Sequence, residues 1–199
     1  MRRKPLLLII PLIILFLISS SFAESAPDYA ATTMRLLRYD GAVQIYDVTG
    51  APRFLLENVR FASGEAMETG EDGTASVSLD DSKIVSLDTR SFVEFIQESD
   101  HIRLNLKKGA IFLDVSEKLD ENAGLDIQTS TMTVGIRGTI VQVVEEEDPE
   151  DPENLITQLG VMEGNTNVTY TDEEGSSRLI NVSAGQKISV PRRRAAARA

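Results

Sequence analysis

The strongest constraint on the fold is a strict alternation of apolar and polar residues that recurs along the chain. It is clearest in Ala75–Leu79 and Ile102–Leu106, and a short polar turn separates each of these from another apolar-rich segment, Ile84–Leu87 and Phe92–Ile96. Side chains alternate between the two faces of a β-strand, so a period of two predicts strands with one face in the core and the other in water. No segment after Ala23 has the spacing of an amphipathic helix. The alternation therefore predicts an all-β fold.

Glycine stands immediately before many of the predicted strands. It adopts positive φ angles at little steric cost, so it suits a turn that leads into a strand. The intervals between these glycines are irregular, which argues against a solenoid of fixed period. The pattern predicts a single domain of many short strands, either a β-sandwich or a β-roll with solenoid-like winding. The glycines concerned are Gly41, Gly73, Gly109, Gly138, Gly164 and Gly185.

Two polar segments interrupt the alternation. Glu117–Leu125 is predicted to be a loop, and Glu145–Asn154 is an acidic run that contains Pro149 and Pro152. Because proline cannot donate a hydrogen bond to a sheet, we expect the acidic run to be a solvated loop, and we expect deletion of Glu146–Glu153 to leave the fold intact. The alternative is a weak calcium site, although the run lacks the regular Asp, Asn and Gly spacing of a calcium-binding loop.

The first 23 residues have the three-part pattern of a secretory signal. Arg2–Lys4 is positively charged, Leu6–Ile18 is apolar, and Ser21–Ala23 is a small-residue cleavage site. The apolar run is shorter than the roughly 20 residues of a membrane-spanning helix, so we expect cleavage after Ala23. The alternative is an uncleaved N-terminal anchor that contacts the membrane only through residues 5–23. Both predict an extracytoplasmic protein, either secreted or periplasmic.

The rest of the chain is predicted to consist of a linker at 24–33, one β domain at 34–191 and a basic tail at 192–199. The formal net charge is −11. Nucleic acid is not an expected partner, because its phosphates require a clustered basic face. The chain contains no cysteine, which excludes disulfides, thiolate nucleophiles and cysteine-based zinc sites. The basic tail either contacts anionic lipid or wall polymer, or simply marks the end of the folded domain.

The sequence offers no pair of nucleophile and base for catalysis. His101 is the only histidine, and it stands in a predicted hairpin turn, where a solvated side chain is expected. Asp80 and Asp81 are adjacent in another turn, where aspartates act as turn formers more often than as an acid–base pair. No phosphate-binding glycine loop or nucleophile elbow is present. We therefore expect a non-enzyme with no catalytic residue, no cofactor and no metal site.

A series of short motifs follows in order along the chain: Glu68–Gly70 with Gly73–Ala75, then Arg137–Thr139, Val161–Gly164 and Ala184–Gln186. In this order the motifs resemble those of the FecR domain, an extracytoplasmic all-β module, over about residues 34–191. The resemblance implies structural roles for a set of motif residues. These are Gly70, Gly73, Gly109, Gly135, Gly138, Thr139, Gly164 and Gly185.

The resemblance also implies a class of function. In family members that regulate transcription, a cytoplasmic segment holds a sigma factor and the outer domain receives a signal from a transporter. Only Met1–Lys4 precedes the apolar segment here, which is too short to hold a sigma factor. We therefore expect an exported binding module for an unknown protein or envelope polymer, with signalling as one role. The alternatives are a structural or assembly component of the envelope and, less favoured, a transmembrane sigma-factor regulator.

The segment Gly135–Thr139 contains the one weak candidate for a binding residue. Arg137 either presents a cation to a partner carboxylate or ties down loop carbonyls with its five donors, and we favour the structural role. Either Gly135 or Gly138 is expected to have a backbone conformation that other residues adopt only with strain, or to lie too close to a neighbouring strand for a Cβ.

Overall fold

The computed structural model describes residues 31–56, 58–117, 124–149, 151–172 and 174–192. Within these ranges all the regular secondary structure is β-strand, which confirms the all-β prediction. The strands are β1 (Ala31–Asp40), β2 (Val43–Tyr46), β3 (Pro52–Arg53), β4 (Arg60–Ala62), β5 (Glu65–Thr69), β6 (Thr74–Asp80), β7 (Lys83–Leu87), β8 (Phe92–Glu98), β9 (His101–Val115), β10 (Gly124–Gln128), β11 (Met132–Ile136), β12 (Ile140–Asp148), β13 (Asp151–Glu163), β14 (Asn165–Thr171), β15 (Ser177–Ser183) and β16 (Lys187–Pro191).

The strands form one open sixteen-stranded sheet, in which two ladders meet at the long strand β9. Ladder 1 has the order β4-β1-β6-β7-β9-β12-β13-β16 and is antiparallel throughout. Ladder 2 has the order β3-β2-β5-β8-β9-β10-β11-β14-β15 and is antiparallel except for the parallel pair β9–β10. Residues 101–108 of β9 belong to ladder 2, and residues 109–115 belong to ladder 1.

The two ladders share a single hydrophobic core. The inward-facing residues of both form one buried cluster, as the period-two pattern predicts. Phe61 of ladder 1 and Phe95 of ladder 2 lie with their ring centroids 4.6 Å apart. Burial of each such side chain contributes about 1.5–3 kcal/mol to folding. The prediction of a single domain built from many short strands is therefore confirmed.

The recurring glycines lie where the chain passes from one ladder to the other. Gly41 joins β1 to β2, Gly138 joins β11 to β12, Gly164 joins β13 to β14, and Gly185 joins β15 to β16. Gly109 lies inside β9, where this strand leaves ladder 2 and enters ladder 1. All five have positive φ, from 64° to 85°. The glycine intervals are irregular because the strands between successive corners of the sheet differ in length.

The prediction of a loop at the acidic segment is wrong. β12 and β13 continue through it as a hairpin, in which Glu146 is opposite Ile156 and Glu147 is opposite Leu155. The pairing of β12 with β9 ends at Glu145, and that of β13 with β16 ends at Ile156. The end of the hairpin thus projects beyond both neighbouring strands. Proline is tolerated there because its missing N–H interrupts no bond to a third strand.

Several other predictions fall at the limits of the described chain. Residues 1–23 lie outside the described ranges, as do most of the predicted linker, residues 118–123 of the predicted loop, and the tail after Arg192. β1 begins at Ala31, inside the predicted linker, and β10 begins at Gly124, inside the predicted loop. In the described part of the chain, no helix is long and apolar enough to cross a membrane.

Candidate functional site

The residues that were candidates for catalysis do not form one site, because no hydrogen bond or ion pair in the described ranges joins His101 to Asp80 or Asp81. His101 is the first residue of β9, rather than part of a free turn, and its Nε2 lies 3.0 Å from Asp126 Oδ2 with the imidazole 39% exposed. Asp80 accepts hydrogen bonds from the Ser82 backbone N–H and from the Lys83 ammonium, so it stabilises the β6–β7 turn as predicted. Within the described ranges, no three His, Cys, Asp or Glu side chains lie close enough to hold a metal ion.

The first group of motif residues builds a corner of the sheet. The Thr69 hydroxyl donates to the Asp88 carbonyl at 2.5 Å and accepts from the Ser91 N–H at 2.9 Å. The Ser91 hydroxyl donates to the Ala110 carbonyl at 3.0 Å and accepts from the Ala110 N–H at 2.9 Å. Both side chains are buried, with Thr69 1% and Ser91 0% exposed. These bonds connect β5, the turn after β7 and the central part of β9, so the group is structural.

The glycines at this corner allow the backbone segments to approach closely. A Cβ on Gly73 would overlap the Ala42 carbonyl oxygen and lie 2.9 Å from its carbon. A Cβ on Gly70 would lie 2.8 Å from the Ala42 Cβ. A Cβ on Gly109 would overlap Ser91 and lie 2.8 Å from the Arg90 carbonyl oxygen. The structure thus gives Gly70, Gly73 and Gly109 a steric reason to lack a side chain.

The second group of motif residues forms a corner at the β11–β12 and β13–β14 connections. Gly138 has φ 85°. A Cβ on Gly164 would lie 2.8 Å from the Gly138 carbonyl oxygen and 2.9 Å from the Thr139 methyl carbon. Gly135 lies in β11 and would make only ordinary contacts with a Cβ, so of the two glycines Gly138 has the strained conformation. Gly185 has positive φ but open space around it.

Arg137 is exposed at the second corner. The structure shows no hydrogen bond or ion pair between its guanidinium and any residue of the described ranges. The favoured structural role, in which Arg137 ties down loop carbonyls, is therefore not observed there. The neighbouring β-branched Thr139 is 1% exposed, and its methyl group faces Gly164.

A groove on the outer face of ladder 1 was not found by sequence analysis. It encloses about 420 Å³ and crosses β1, β6, β7, β9 and β12. Its floor contains Ser76 and Ser86, whose hydroxyl oxygens are 3.1 Å apart. Tyr39, which is 42% exposed, and Phe112, which is 37% exposed, also line it. Local sequence patterns do not reveal the groove, because its lining residues come from strands that are far apart in the chain.

An ion pair beside the first corner gives the protein a pH-dependent stability. Hydrogen bonds from the Lys108 ammonium (2.8 Å) and the Tyr46 hydroxyl (2.9 Å) hold the pKa of Glu68 below its ordinary value. A lowered folded-state pKa contributes stability above the unfolded-state pKa of about 4.3, and this is lost as the pH falls through the folded value. We expect Glu68→Gln to flatten the fall in melting temperature between about pH 5 and 3. If the melting temperature of Glu68→Gln depends on pH in the same way as that of the wild type, this prediction is wrong.

Together these observations define an all-β module whose sequence motifs build the corners of a sheet and whose outer faces remain open. The chain belongs to the FecR protein family, because the FecR family model matches residues 65–167, just over half of its length. The recognition of a FecR domain from the motif order is therefore confirmed. The matched range begins at β5 and ends within β14, so it includes both corners.

The fold is also similar to that of a solved protein, a candidate anti-sigma factor from Parabacteroides distasonis ATCC 8503. Its crystal structures at 1.65 Å and 2.50 Å resolution both match with a TM-score of 0.51 and 17% sequence identity. The match covers 63% of this chain and 54% of that protein, so it extends over about half of the relative. No curated protein matches this sequence.

Proposed function

We propose that this protein is an extracytoplasmic, non-enzymatic binding module that acts in envelope signalling. Membership of the FecR family supports a signalling role, and so does the fold shared with a candidate anti-sigma factor. The signal-like pattern of residues 1–23 supports export. In this proposal the partner is a protein or an envelope polymer, and it is bound on the outer surface of the sheet.

The observation that carries the proposal is that buried motif residues hold the corners of the sheet while other side chains are exposed on its outer faces. Thr69 and Thr139 are each 1% exposed, and Gly73, Gly109, Gly138 and Gly164 lie at the corners. These motif residues therefore maintain a scaffold. Binding is left to side chains on the outer faces and the projecting hairpin, where family members of the same fold can differ in ligand.

Affinity capture of the tagged full-length protein after cross-linking in intact cells tests the proposal. We expect discrete partners in constant ratio to the protein. Cofractionation with bulk envelope material, with no partner in constant ratio, would instead identify a structural component of the envelope. Turnover of a substrate that is lost on changing His101 would show an enzyme.

Arg137 provides a more specific prediction. Because its side chain is exposed and contacts no described residue through a hydrogen bond or ion pair, Arg137→Ala should change the free energy of unfolding by less than about 0.5 kcal/mol. Thermal melting measures this, and a loss of about 1–2 kcal/mol would restore the structural role. Capture of a partner by the wild type but not by Arg137→Ala, at equal stability, would place Arg137 in the binding surface.

A further inference from the structure

Three arginines lie together on the outer face of ladder 1, at its β4–β1 edge. Arg35 of β1 is directly opposite Arg60 of β4. The register of β1 against β6 shifts between Leu36 and Arg38, as at a β-bulge, so Arg38 faces outward like Arg35 although three positions separate them. Ser76 lies between Ala75 and Val77, which face the core, so its own side chain is on the outer face. Arg38 is on the same face, because its Nε donor lies 3.3 Å from the Ser76 hydroxyl. All three arginines are exposed, and we call them the arginine face.

The arginine face is not neutralised by the described part of the protein. Elsewhere, Arg53 pairs with Glu65, Arg90 with Glu71, and Arg178 with Asp172. The arginine face shows no ion pair with any described residue, although the chain has a net charge of −11. Like charges directly opposite on neighbouring strands are destabilising. An arrangement that costs stability and leaves guanidinium donors free is suited to a ligand that carries carboxylates or phosphates.

The groove on ladder 1 continues from the arginine face. Arg38 belongs to both, and the groove adds the hydroxyl of Ser86, the amide of Gln142 and the ring of Phe112, and it is also lined by Asp40 and Asp88. Hydroxyl and amide groups can each both donate and accept hydrogen bonds. An exposed aromatic ring offers an apolar face for stacking. This combination fits a sugar ring, which has hydroxyls at its edge and C–H groups on its faces.

We propose that the arginine face and the groove together bind an acidic polysaccharide, with its carboxylates or phosphates on Arg35, Arg38 and Arg60 and a sugar ring beside Phe112. Four strand spacings of about 4.8 Å separate β4 from β9, so the surface is about 19 Å across and takes an oligomer rather than one sugar. The inference rests on the proposed binding function and names its site and ligand class.

Binding is measured by calorimetry on the full-length protein at low salt. The acidic probes are a galacturonate oligomer, which carries carboxylates, and a phosphomannan fragment, which carries phosphates. A dextran oligomer serves as the neutral sugar, and poly-L-glutamate as the anion without sugar rings. We expect binding of at least one acidic oligosaccharide, weakening with salt, and none of dextran. The acidic probe that binds more tightly shows whether the natural ligand carries carboxylates or phosphates. Failure of both to bind would overturn the proposal.

A matched pair of double variants separates the site from overall charge. The double variant Arg35→Gln with Arg60→Gln should weaken the binding of acidic oligosaccharides by about tenfold or more. The control, Arg90→Gln with Arg178→Gln, removes the same amount of charge elsewhere and should change the affinity less than about twofold. Melting curves check folding, and the first variant should melt no lower than the wild type because it relieves a like-charge contact. Equal losses in both variants would show only a charge effect and overturn the proposal.

Phe112→Ala distinguishes a polysaccharide from an acidic peptide. It should weaken oligosaccharide binding at unchanged net charge. Poly-L-glutamate bound as tightly as the oligosaccharides, with no effect of Phe112→Ala, would make the surface a peptide site and overturn the proposal. The polysaccharide inference can fail while the proposed function holds. This would be the result if no acidic oligosaccharide binds but the double variant of Arg35 and Arg60 still captures a cross-linked protein partner.

Discussion

Gly109→Val is expected to cause a large loss of stability. Gly109 has φ 84°, a conformation that costs other residues about 1–3 kcal/mol. The new Cβ would overlap Ser91, which is 0% exposed and fixed by bonds to Ala110 on β9. Overpacking of this kind costs about 1–3 kcal/mol more. The sum is a large part of a typical domain stability of about 5–15 kcal/mol. Denaturant unfolding measures it.

Gly185→Val is the matched control for this change. Gly185 has φ 80°, but a Cβ there would meet nothing within 4 Å. It should therefore show the conformational cost of about 1–3 kcal/mol without the clash. Equal losses at Gly109 and Gly185 would mean that the corner around Ser91 relaxes to accept a side chain, and that φ alone explains both effects.

Glu145→Ala is expected to destabilise the protein by about 1–3 kcal/mol, because it leaves buried donors without their acceptor. Glu145 is 1% exposed. Its carboxylate accepts from the Ser130 backbone N–H at 3.2 Å and from the Thr157 hydroxyl. Thr157, which is 0% exposed, also accepts from the Thr131 hydroxyl at 2.6 Å. The network fixes the base of the acidic hairpin against the β10–β11 turn.

Glu146→Ala, one residue further along the same strand, is the control. Glu146 is exposed, and its carboxylate bonds to the Gln158 side chain at 2.6 Å. Surface changes of this type usually alter stability by less than about 0.5 kcal/mol. Unfolding curves of the two variants should therefore differ clearly. If Glu145→Ala unfolds like Glu146→Ala, the buried carboxylate contributes no net stability, as can happen when the cost of burying a charge offsets its bonds.

The sequence predicted the strands well wherever alternation was strict. Ala75–Leu79 lies in β6 and Ile102–Leu106 lies in β9, and their apolar side chains are buried. The turn at Asp80 was predicted because a short carboxylate side chain bonds readily to nearby backbone N–H groups. Of the motif glycines, Gly109, Gly138, Gly164 and Gly185 have positive φ, whereas Gly70, Gly73 and Gly135 do not.

Two features could not be read from local patterns. The acidic segment has low hydrophobicity and two prolines, yet it forms a hairpin, because its base is anchored by pairing to β9 and β16. The arginine face was missed because a strict period of two would place Arg35 and Arg38 on opposite faces. The β1 irregularity restores them to one face, and Arg60 joins them only through the pairing of β4 with β1.

The sequence by itself determined that the chain is all-β, where several glycine turns lie and, in strands of strict alternation, which residues face the core. These properties depend on side-chain alternation and on local φ preferences, and both are encoded within a few residues. Only the tertiary structure decided which strands are neighbours, that β9 serves both ladders, and that Arg35, Arg38 and Arg60 share a surface. The physical reason is that backbone N–H and C=O groups are nearly the same for every residue, so alternation fixes the face of a strand but not its partner.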